Sequence, residues 1–135
     1  FLIGWLRVVI MPKPAMDYPI LLMSAPKGTG KTTATNYLKE LIAPDTGGTI
    51  SPTNNIRDFA ASVSSMYIVG IDNISKINLD MSDVYCCAVT GDTLSTRKLF
   101  TNNKPHNVNF HVRMIMNGIH NTPLRSDLKK ETRIY

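Results

Sequence analysis

The chain has 135 residues, of which 43% are hydrophobic and 19% charged, with a formal net charge of +5. These values are typical of one globular domain with a buried core, and they exclude a disordered or low-complexity chain. The stretch from Arg97 to Tyr135 holds eight basic and two acidic residues, against seven basic and eight acidic residues before it. Such a basic segment favours an anionic partner, with a merely solvated surface as the alternative.

The opening stretch, residues 1–10, is apolar but contains Arg7. It is shorter than the ~20 residues that cross a bilayer, so we expect no membrane span. We predict a helix that packs on the core, with Trp5 inside that core. The only cysteines, Cys86 and Cys87, are adjacent. A disulfide between neighbours is strained, and two cysteines with three scattered histidines are too few for a zinc site, so we expect reduced thiols in a cytoplasmic protein.

Strands and helices alternate in the first half of the chain. Short apolar runs predict strands buried on both faces, and runs of helical period predict amphipathic helices. The helix at residues 32–42 is predicted to turn Ala34, Leu38, Leu41 and Ile42 toward the core. The predicted elements are a turn-rich linker at 12–19, a strand at 20–23, the helix at 32–42, a short strand and turn at 49–54, a helix at 55–63, and a strand at 66–71 that ends at Asp72.

The second half continues this alternation and adds a hairpin. A helix is predicted at residues 80–89 with Asp80 or Ser82 near its cap, and a β-hairpin at 97–110 around turn formers. A third core strand follows at 111–116, closed by Asn117 and Gly118, and residues 132–135 look like the start of another strand. We therefore expect an α/β fold with a parallel sheet flanked by helices, in a domain cut from a larger protein.

Residues 24–33, SAPKGTGKTT, match the phosphate-loop pattern GxxxxGK[ST] except that Ala25 replaces the first glycine. In such loops, backbone N–H groups and the N-terminal end of the following helix face the phosphates. Lys31 is the candidate for the β- and γ-phosphates, and Thr32 for Mg²⁺. If φ at Ala25 is positive, the alanine costs ~1 kcal/mol. A glycine-rich turn without a ligand is the alternative.

A second motif, MYIVGIDN at residues 66–73, ends a buried strand in an acid. Ligands of parallel sheets bind at the carboxyl ends of the strands, so Asp72 is expected to hold Mg²⁺ through water, with loop capping as the alternative. The predicted cofactors are ATP and Mg²⁺, with Thr32 and Asp72 on the metal. The predicted nucleotide-binding residues are Pro26, Lys27, Gly28, Thr29, Gly30, Lys31, Thr32, Thr33, Asp72 and Asn73.

Asn73 stands where many ATPases of this layout carry a second acid that polarises the attacking water. An amide can orient water but cannot take its proton. Either Asp83 or Asp92 supplies that acid, or hydrolysis is slow and depends on positioning.

Four segments in this order, APKGTGKTT, MYIVGIDN, AVTGDTLSTRKLF and RMIMNGI, resemble superfamily-3 helicases. The third resembles their TGGD-x-x-x-x-R-x-LY stretch, with a single TGD here, and the fourth their motif C. The closer resemblance is to the helicase-like ATPase module of phage and mobile-element primase or replication proteins, in which "DN" often replaces the two acids. It covers nearly all of residues 1–135.

The resemblance implies a P-loop NTPase fold of the AAA+-like type, with a β-hairpin insertion before the motif C strand. It implies an ATPase of the DNA helicase type that acts on single-stranded DNA in replication, in a bacterial, archaeal or virus-infected cell. A hexameric ring of identical subunits is implied as well.

The resemblance also implies roles for single residues. Asn117 would join Lys31 and Asp72 as a catalytic residue, sensing the γ-phosphate or its water from a strand between the P-loop strand and the Asp72 strand. The hairpin would face a central channel and contact DNA through Arg97, Lys98, Lys104 and His106, with Lys104 at its tip. Arg125 and Arg133 are the candidates for an arginine finger on a neighbouring subunit, although Glu131 departs from the family's R-x-D-L-x-x-R arrangement.

Other interpretations remain open from the residues alone. A non-hydrolysing or slow nucleotide switch is favoured by Asn73, and a small-molecule P-loop kinase could use the basic segment as a lid. Asn117 could simply end a strand, and Lys104 could be a solvated loop lysine. Phe100 and Phe110 fit packing within the hairpin, with stacking on bases as the alternative.

Overall fold

The computed structural model describes residues 2–11, 16–44, 47–95, 107–108, 110–118 and 132–134. Four helices lie within these ranges: α1 (Leu2–Ile10), α2 (Lys31–Ile42), α3 (Ile56–Val63) and α4 (Leu79–Thr90). The strands are β1 (Ile20–Ser24), β2 (Ile68–Ile74), β3 (Leu94–Ser95), β4 (Asn107–Val108), β5 (Arg113–Gly118) and β6 (Thr132–Ile134). Within the described ranges, every helix is too short or too polar to span a bilayer.

The main sheet has the strand order β2-β5-β1-β6, and all its strand pairs are parallel. Alternation of strands and helices predicted a parallel sheet, and the structure has one. The strand that ends in Asn117 and Gly118 lies between β1 and β2, which is the place implied for it. As a result, the carboxyl ends of three strands meet at one edge of the sheet, where ligands of parallel sheets bind.

Helices cover both faces of the sheet. In β1, Ile20 and Leu22 pack in the larger apolar cluster with α3 and α4, while Leu21 packs in the smaller cluster with α1 and α2. This alternation follows from the two-residue period of a strand. Trp5 is buried in the smaller cluster, as predicted, and its indole N–H donates to the carbonyl of Pro19 at 2.6 Å. Apolar runs without polar alternation are therefore explained by burial on both faces.

The predicted core face of α2 is partly wrong. Leu41 is 65% exposed, whereas Thr35 and Lys39 are buried at 0% and 1% exposure. The physical reason is Gly70 on β2, which brings the helix close to the sheet. A Cβ placed on Gly70 would lie 2.7 Å from Thr35 Cγ2 and 3.1 Å from Lys39 Cδ. The glycine thus leaves the space that these two polar side chains occupy.

Lys39 keeps its ammonium hydrogen-bonded despite burial. Its Nζ donates to the carbonyl oxygens of Gly47 and Gly48, at 2.9 and 2.5 Å, in the segment that follows α2. Burial lowers the pKa of Lys39, because a low-dielectric surrounding disfavours the charged form. The apolar part of the side chain packs on the sheet, while the ammonium group holds the segment after α2 through these hydrogen bonds.

Three predicted boundaries differ from the structure. Asn78 caps α4, accepting a hydrogen bond from Met81 N at 2.7 Å, in place of Asp80 or Ser82. The β2 strand does not stop at Asp72 but continues to Ile74 past a register shift. The short strand expected near residue 50 is a single bridge between Ile50 and Ile71. In each case the deciding contact comes from a neighbouring element or from a short polar side chain that satisfies a backbone group.

The hairpin prediction falls mostly outside the described residues. Within the predicted range, β4 is described, and it pairs antiparallel with β3, which lies just before residue 97; Leu94 is opposite Val108 and Ser95 opposite Asn107. The pair precedes β5, which is where the hairpin insertion was expected.

Arg113, counted within the basic segment, is not part of a basic surface. It is 6% exposed, and its guanidinium lies between the rings of Tyr18 and Tyr67, at 4.2 and 3.5 Å from their centroids. Its Nε donates to the carbonyl of Val9 at 3.2 Å, near the end of α1. Cation–π contacts and this hydrogen bond hold α1 to the start of β5, at the edge opposite to the meeting strand ends.

Candidate functional site

The loop between β1 and α2 has the backbone of a phosphate loop. Gly28 and Gly30 have φ values of +83° and +81°, in the left-handed region that glycine adopts without strain. Gly30 is also the N-terminal cap residue of α2. Asn73 is the one non-glycine residue with positive φ in the described ranges, so Ala25 adopts an ordinary conformation. The ~1 kcal/mol penalty considered for Ala25 therefore does not arise.

Lys31 is hydrogen-bonded within its own loop. Its Nζ donates to the carbonyl oxygens of Ala25 at 2.7 Å and Pro26 at 2.8 Å. The Thr29 hydroxyl donates to the same Pro26 carbonyl at 2.9 Å. These bonds stabilise the curved loop with the lysine ammonium at its centre, where it can exchange a carbonyl for an anionic oxygen.

A cleft of about 650 Å³ opens at the carboxyl ends of the strands. Nine of the ten predicted nucleotide-binding residues line it. Pro26 is the exception, and it contributes through the carbonyl that Lys31 and Thr29 bond. Gly118, at the end of β5, lines the cleft although the sequence indicated only a strand end there. The lining is Lys27, Gly28, Thr29, Gly30, Lys31, Thr32, Thr33, Asp72, Asn73 and Gly118.

Thr32 and Asp72 meet across the cleft. The Thr32 hydroxyl donates to Asp72 Oδ2 at 2.7 Å, although the residues are 40 positions apart. Strand alternation puts Asp72 on the same face of β2 as Gly70, toward α2, so the start of the helix reaches it. Hydroxyl and carboxylate oxygens beside an open, hydrated space fit Mg²⁺, which prefers oxygen ligands and keeps several waters.

Asn117 reaches the same carboxylate from beneath the cleft. It is fully buried and does not line the cleft. Its Nδ2 donates to Asp72 Oδ1 at 3.1 Å, and its Oδ1 accepts a hydrogen bond from the Thr35 hydroxyl at 2.9 Å. The structure thus joins three of the predicted site residues, Thr32, Asp72 and Asn117, and adds Thr35, which the sequence did not single out. A direct contact of Asn117 with a γ-phosphate stays a prediction.

Asn73 has a backbone role beside Asp72. Its φ is +62°, and its N–H donates to Asp72 Oδ1 at 3.0 Å. Asparagine is one of the few non-glycine residues that adopt this conformation readily. Its exposed side chain lines the cleft.

The two acids considered for water activation are not at the cleft. Asp83 and Asp92 lie instead around Cys87: burial raises the pKa of that thiol, and the negative charges of Asp92 and Asp83 raise it further. Neither carboxylate lines the cleft, where Asp72 is the one acidic side chain among the described residues. The suggestion that Asp83 or Asp92 activates water is therefore wrong.

Most candidates for nucleic-acid contact and for the arginine finger lie outside the described residues. These are Arg97, Lys98, Lys104, His106 and Arg125, together with Phe100. The backbone of Arg133 is in β6, paired with Leu21. Phe110 is buried, and its ring lies edge-on to that of Phe59 at 6.0 Å between centroids. Phe110 therefore packs in the core against α3, in place of the predicted packing within the hairpin.

Comparison with models of protein families assigns this chain to a family. A family model described as the actinomycete integrative conjugative element replication protein matches residues 1–134. The chain belongs to this family. This replication protein is thereby assigned to the mobile-element context that its motifs implied, whereas the family description names neither a helicase nor an ATPase. A comparison with curated proteins finds no match to the chain.

Proposed function

We propose that this replication protein is a P-loop ATPase of the DNA helicase type, which uses magnesium-ATP to move on single-stranded DNA. The observation that carries the proposal is the 2.7 Å contact between Thr32, at the start of α2, and Asp72, on β2. The phosphate-loop motif, which includes Lys31, and the motif that ends in Asp72 are far apart in sequence but line the same cleft. This convergence is what a triphosphate with a divalent cation requires.

Each residue has a task in this proposal. Gly28 and Gly30 curve the loop so that the positive end of α2 faces the phosphates. Lys31 exchanges its bonds to the Ala25 and Pro26 carbonyls for bonds to phosphate oxygens, which are charged and therefore stronger acceptors. Thr32 and Asp72 would hold Mg²⁺, which neutralises negative charge on the phosphates when bound.

The absence of a second acid among the described cleft residues supports slow hydrolysis. Asp72 is engaged by three donors, and Asn73 can orient a water but cannot accept its proton. Phosphoryl transfer depends mainly on positioning and charge stabilisation, so turnover remains feasible without a strong general base. The same observation favours one other candidate, a nucleotide switch that binds ATP and barely hydrolyses it.

The action on DNA is supported by the charge distribution and the family. Seven basic residues remain in the basic segment once buried Arg113 is set aside. Strand β4 lies within that segment and pairs with β3, which lies just before it, as the base of a hairpin would. We propose that this hairpin contacts the phosphates of single-stranded DNA, as replication of a mobile element requires an interaction with nucleic acid.

Substitution of Lys31 tests the proposal. We expect Lys31→Ala to abolish ATP turnover and weaken ATP binding while the thermal unfolding midpoint stays close to that of the wild type. The matched control is Lys76→Ala, since Lys76 is exposed and does not line the cleft. Turnover is measured as phosphate release with and without single-stranded DNA.

The DNA arm of this assay separates the candidate functions. Stimulation by DNA supports the motor, and tight ATP binding without turnover in either condition supports the switch. Phosphate transfer to a metabolite with no response to DNA would indicate a kinase. Turnover that persists in Lys31→Ala at the wild-type rate would refute the nucleotide site itself.

A further inference from the structure

We infer that Thr35 is a positioning residue: through Asn117, it fixes which oxygen of Asp72 is presented to the cleft. The inference rests on the proposed function for its consequence, because that oxygen would face the cation. The hydrogen-bond geometry on which it is built is independent of any ligand.

The two oxygens of Asp72 have different surroundings. Oδ1 accepts two hydrogen bonds, from the backbone N–H of Asn73 at 3.0 Å and from Asn117 Nδ2 at 3.1 Å. Oδ2 accepts from the Thr32 hydroxyl alone, at 2.7 Å, and Thr32 is itself a candidate ligand. Oδ1 is therefore the anchored oxygen, and Oδ2 is the one available on the cleft side.

The orientation of the Asn117 amide is decided by its two neighbours. An ionised carboxylate only accepts hydrogen bonds, so the NH₂ group must face Asp72 and the carbonyl oxygen must face away. That carbonyl oxygen is buried and needs a donor, since an unpaired buried acceptor is costly. Thr35 supplies the donor at 2.9 Å.

The fold places the Thr35 side chain between β2 and Asn117. Threonine hydroxyls inside helices commonly bond the carbonyl one turn earlier, but Thr35 donates to a residue 82 positions away in sequence. It is completely buried, and its methyl group occupies the space left by Gly70. The hydroxyl thus faces Asn117 on β5, while the methyl group faces Gly70 on β2.

The relay joins α2, β5 and β2 through hydrogen bonds in series, from Thr35 to Asn117 and from Asn117 to Asp72. Without the Thr35 hydroxyl, the Asn117 amide loses one of the two contacts that fix its orientation, and its hydrogen bond to Oδ1 of Asp72 weakens. Contacts of the loop with a nucleotide are untouched, because Thr35 does not line the cleft. The part of ATP affinity that depends on Mg²⁺ should fall, and the metal-independent part should stay.

The first test uses the ligand-free protein and measures exchange of the Asn117 side-chain amide protons by NMR. We expect protection in the wild type and in Thr35→Ser, which keeps the hydroxyl. Thr35→Val, which removes it, should exchange about three- to tenfold faster, as for loss of one net hydrogen bond. Thr90→Val is the matched control, since Thr90 bonds within α4 and the adjoining turn. If Thr35→Val does not fold, Thr35→Ala makes the same deletion with less bulk.

The second test compares ATP affinity in Mg²⁺ with ATP affinity in EDTA. The gain due to Mg²⁺ should fall about three- to tenfold in Thr35→Val and be restored in Thr35→Ser. Unchanged amide protection and an unchanged gain in Thr35→Val would overturn the inference, as would equal losses in the valine and serine variants, which would indicate the methyl group instead. A wild type that binds no ATP would defeat the proposed function, while the amide measurement would still decide whether Thr35 orients Asn117.

Discussion

Single backbone angles explain two residues that looked unusual in the sequence. Ala25, which breaks the phosphate-loop pattern, needs no glycine because its φ is not positive. Asn73, which replaces an expected acid, has a φ of +62° that few side chains tolerate, and its N–H holds Asp72. The residue type at position 73 is thus restricted by the positive φ, and asparagine, which satisfies that restriction, cannot take a proton from water.

Substitutions at position 73 should follow this conformational limit. Asn73→Val is expected to lower the free energy of unfolding by ~1–2 kcal/mol, because a β-branched side chain is strained at positive φ. Asn73→Gly should leave it within ~0.5 kcal/mol, since glycine adopts this φ freely. Urea denaturation of both variants checks the prediction, and equal stabilities would contradict the left-handed conformation at this position.

At the scale of elements, the contact between α2 and β2 determines the site. Gly70 lets the helix approach the strand, so that Thr32 reaches Asp72 and Thr35 reaches Asn117. A side chain on Gly70 would separate the two elements that carry Thr32 and Asp72, the residues proposed to hold Mg²⁺. The glycine therefore acts at a distance from the cleft through the packing of the helix.

Gly70→Ala should be destabilising by ~1–3 kcal/mol, because its Cβ would lie 2.7 Å from Thr35 Cγ2. Thr35→Ser removes that methyl group, so the double variant should lose ~1 kcal/mol less than the sum of the single variants. Gly4→Ala, in open space on α1, is the control and should be neutral or stabilising. Additive losses in the urea-unfolding cycle would show that Thr35 and Gly70 do not compete for space.

The sequence predicted element types well and their packing less well. Apolar runs and the glycine-rich loop identified β1, β2, β5 and the cleft lining, because these depend on local periodicity and on backbone shape. Burial of Lys39 and exposure of Leu41 could not be predicted from the helical period of α2, since both depend on Gly70, which lies on β2. The role of Thr35 was hidden for the same reason: its partner is 82 residues away.

At the scale of the whole molecule, most of the excess positive charge belongs to a different part of the sequence from the residues that line the candidate cleft. The segment from Arg97 to Tyr135, in which the hairpin is predicted, holds eight of the fifteen basic residues but only two acidic ones, while the cleft is built by residues that precede this segment and by Gly118. ATP binding and DNA binding should therefore respond to different substitutions.

Lys104→Ala should weaken binding of single-stranded DNA and leave ATP affinity unchanged. If Lys104 contacts one phosphate, the slope of log K against log salt should become shallower by ~0.7. Fluorescence anisotropy with a labelled oligonucleotide at several salt concentrations measures this, with Lys76→Ala as the control outside the basic segment. An unchanged slope and affinity would remove Lys104 from the DNA contact.

The strand order has a consequence for how the domain is made. The central strand β5 separates β1 from β2, yet it is synthesised about forty residues after β2 and nearly ninety after β1. Until β5 leaves the ribosome, β1 and β2 have no common partner and expose unpaired edges. Pairing across such sequence distances is expected to slow folding, and the two motifs of the candidate cleft are held side by side in the sheet only after β5 has paired with both β1 and β2.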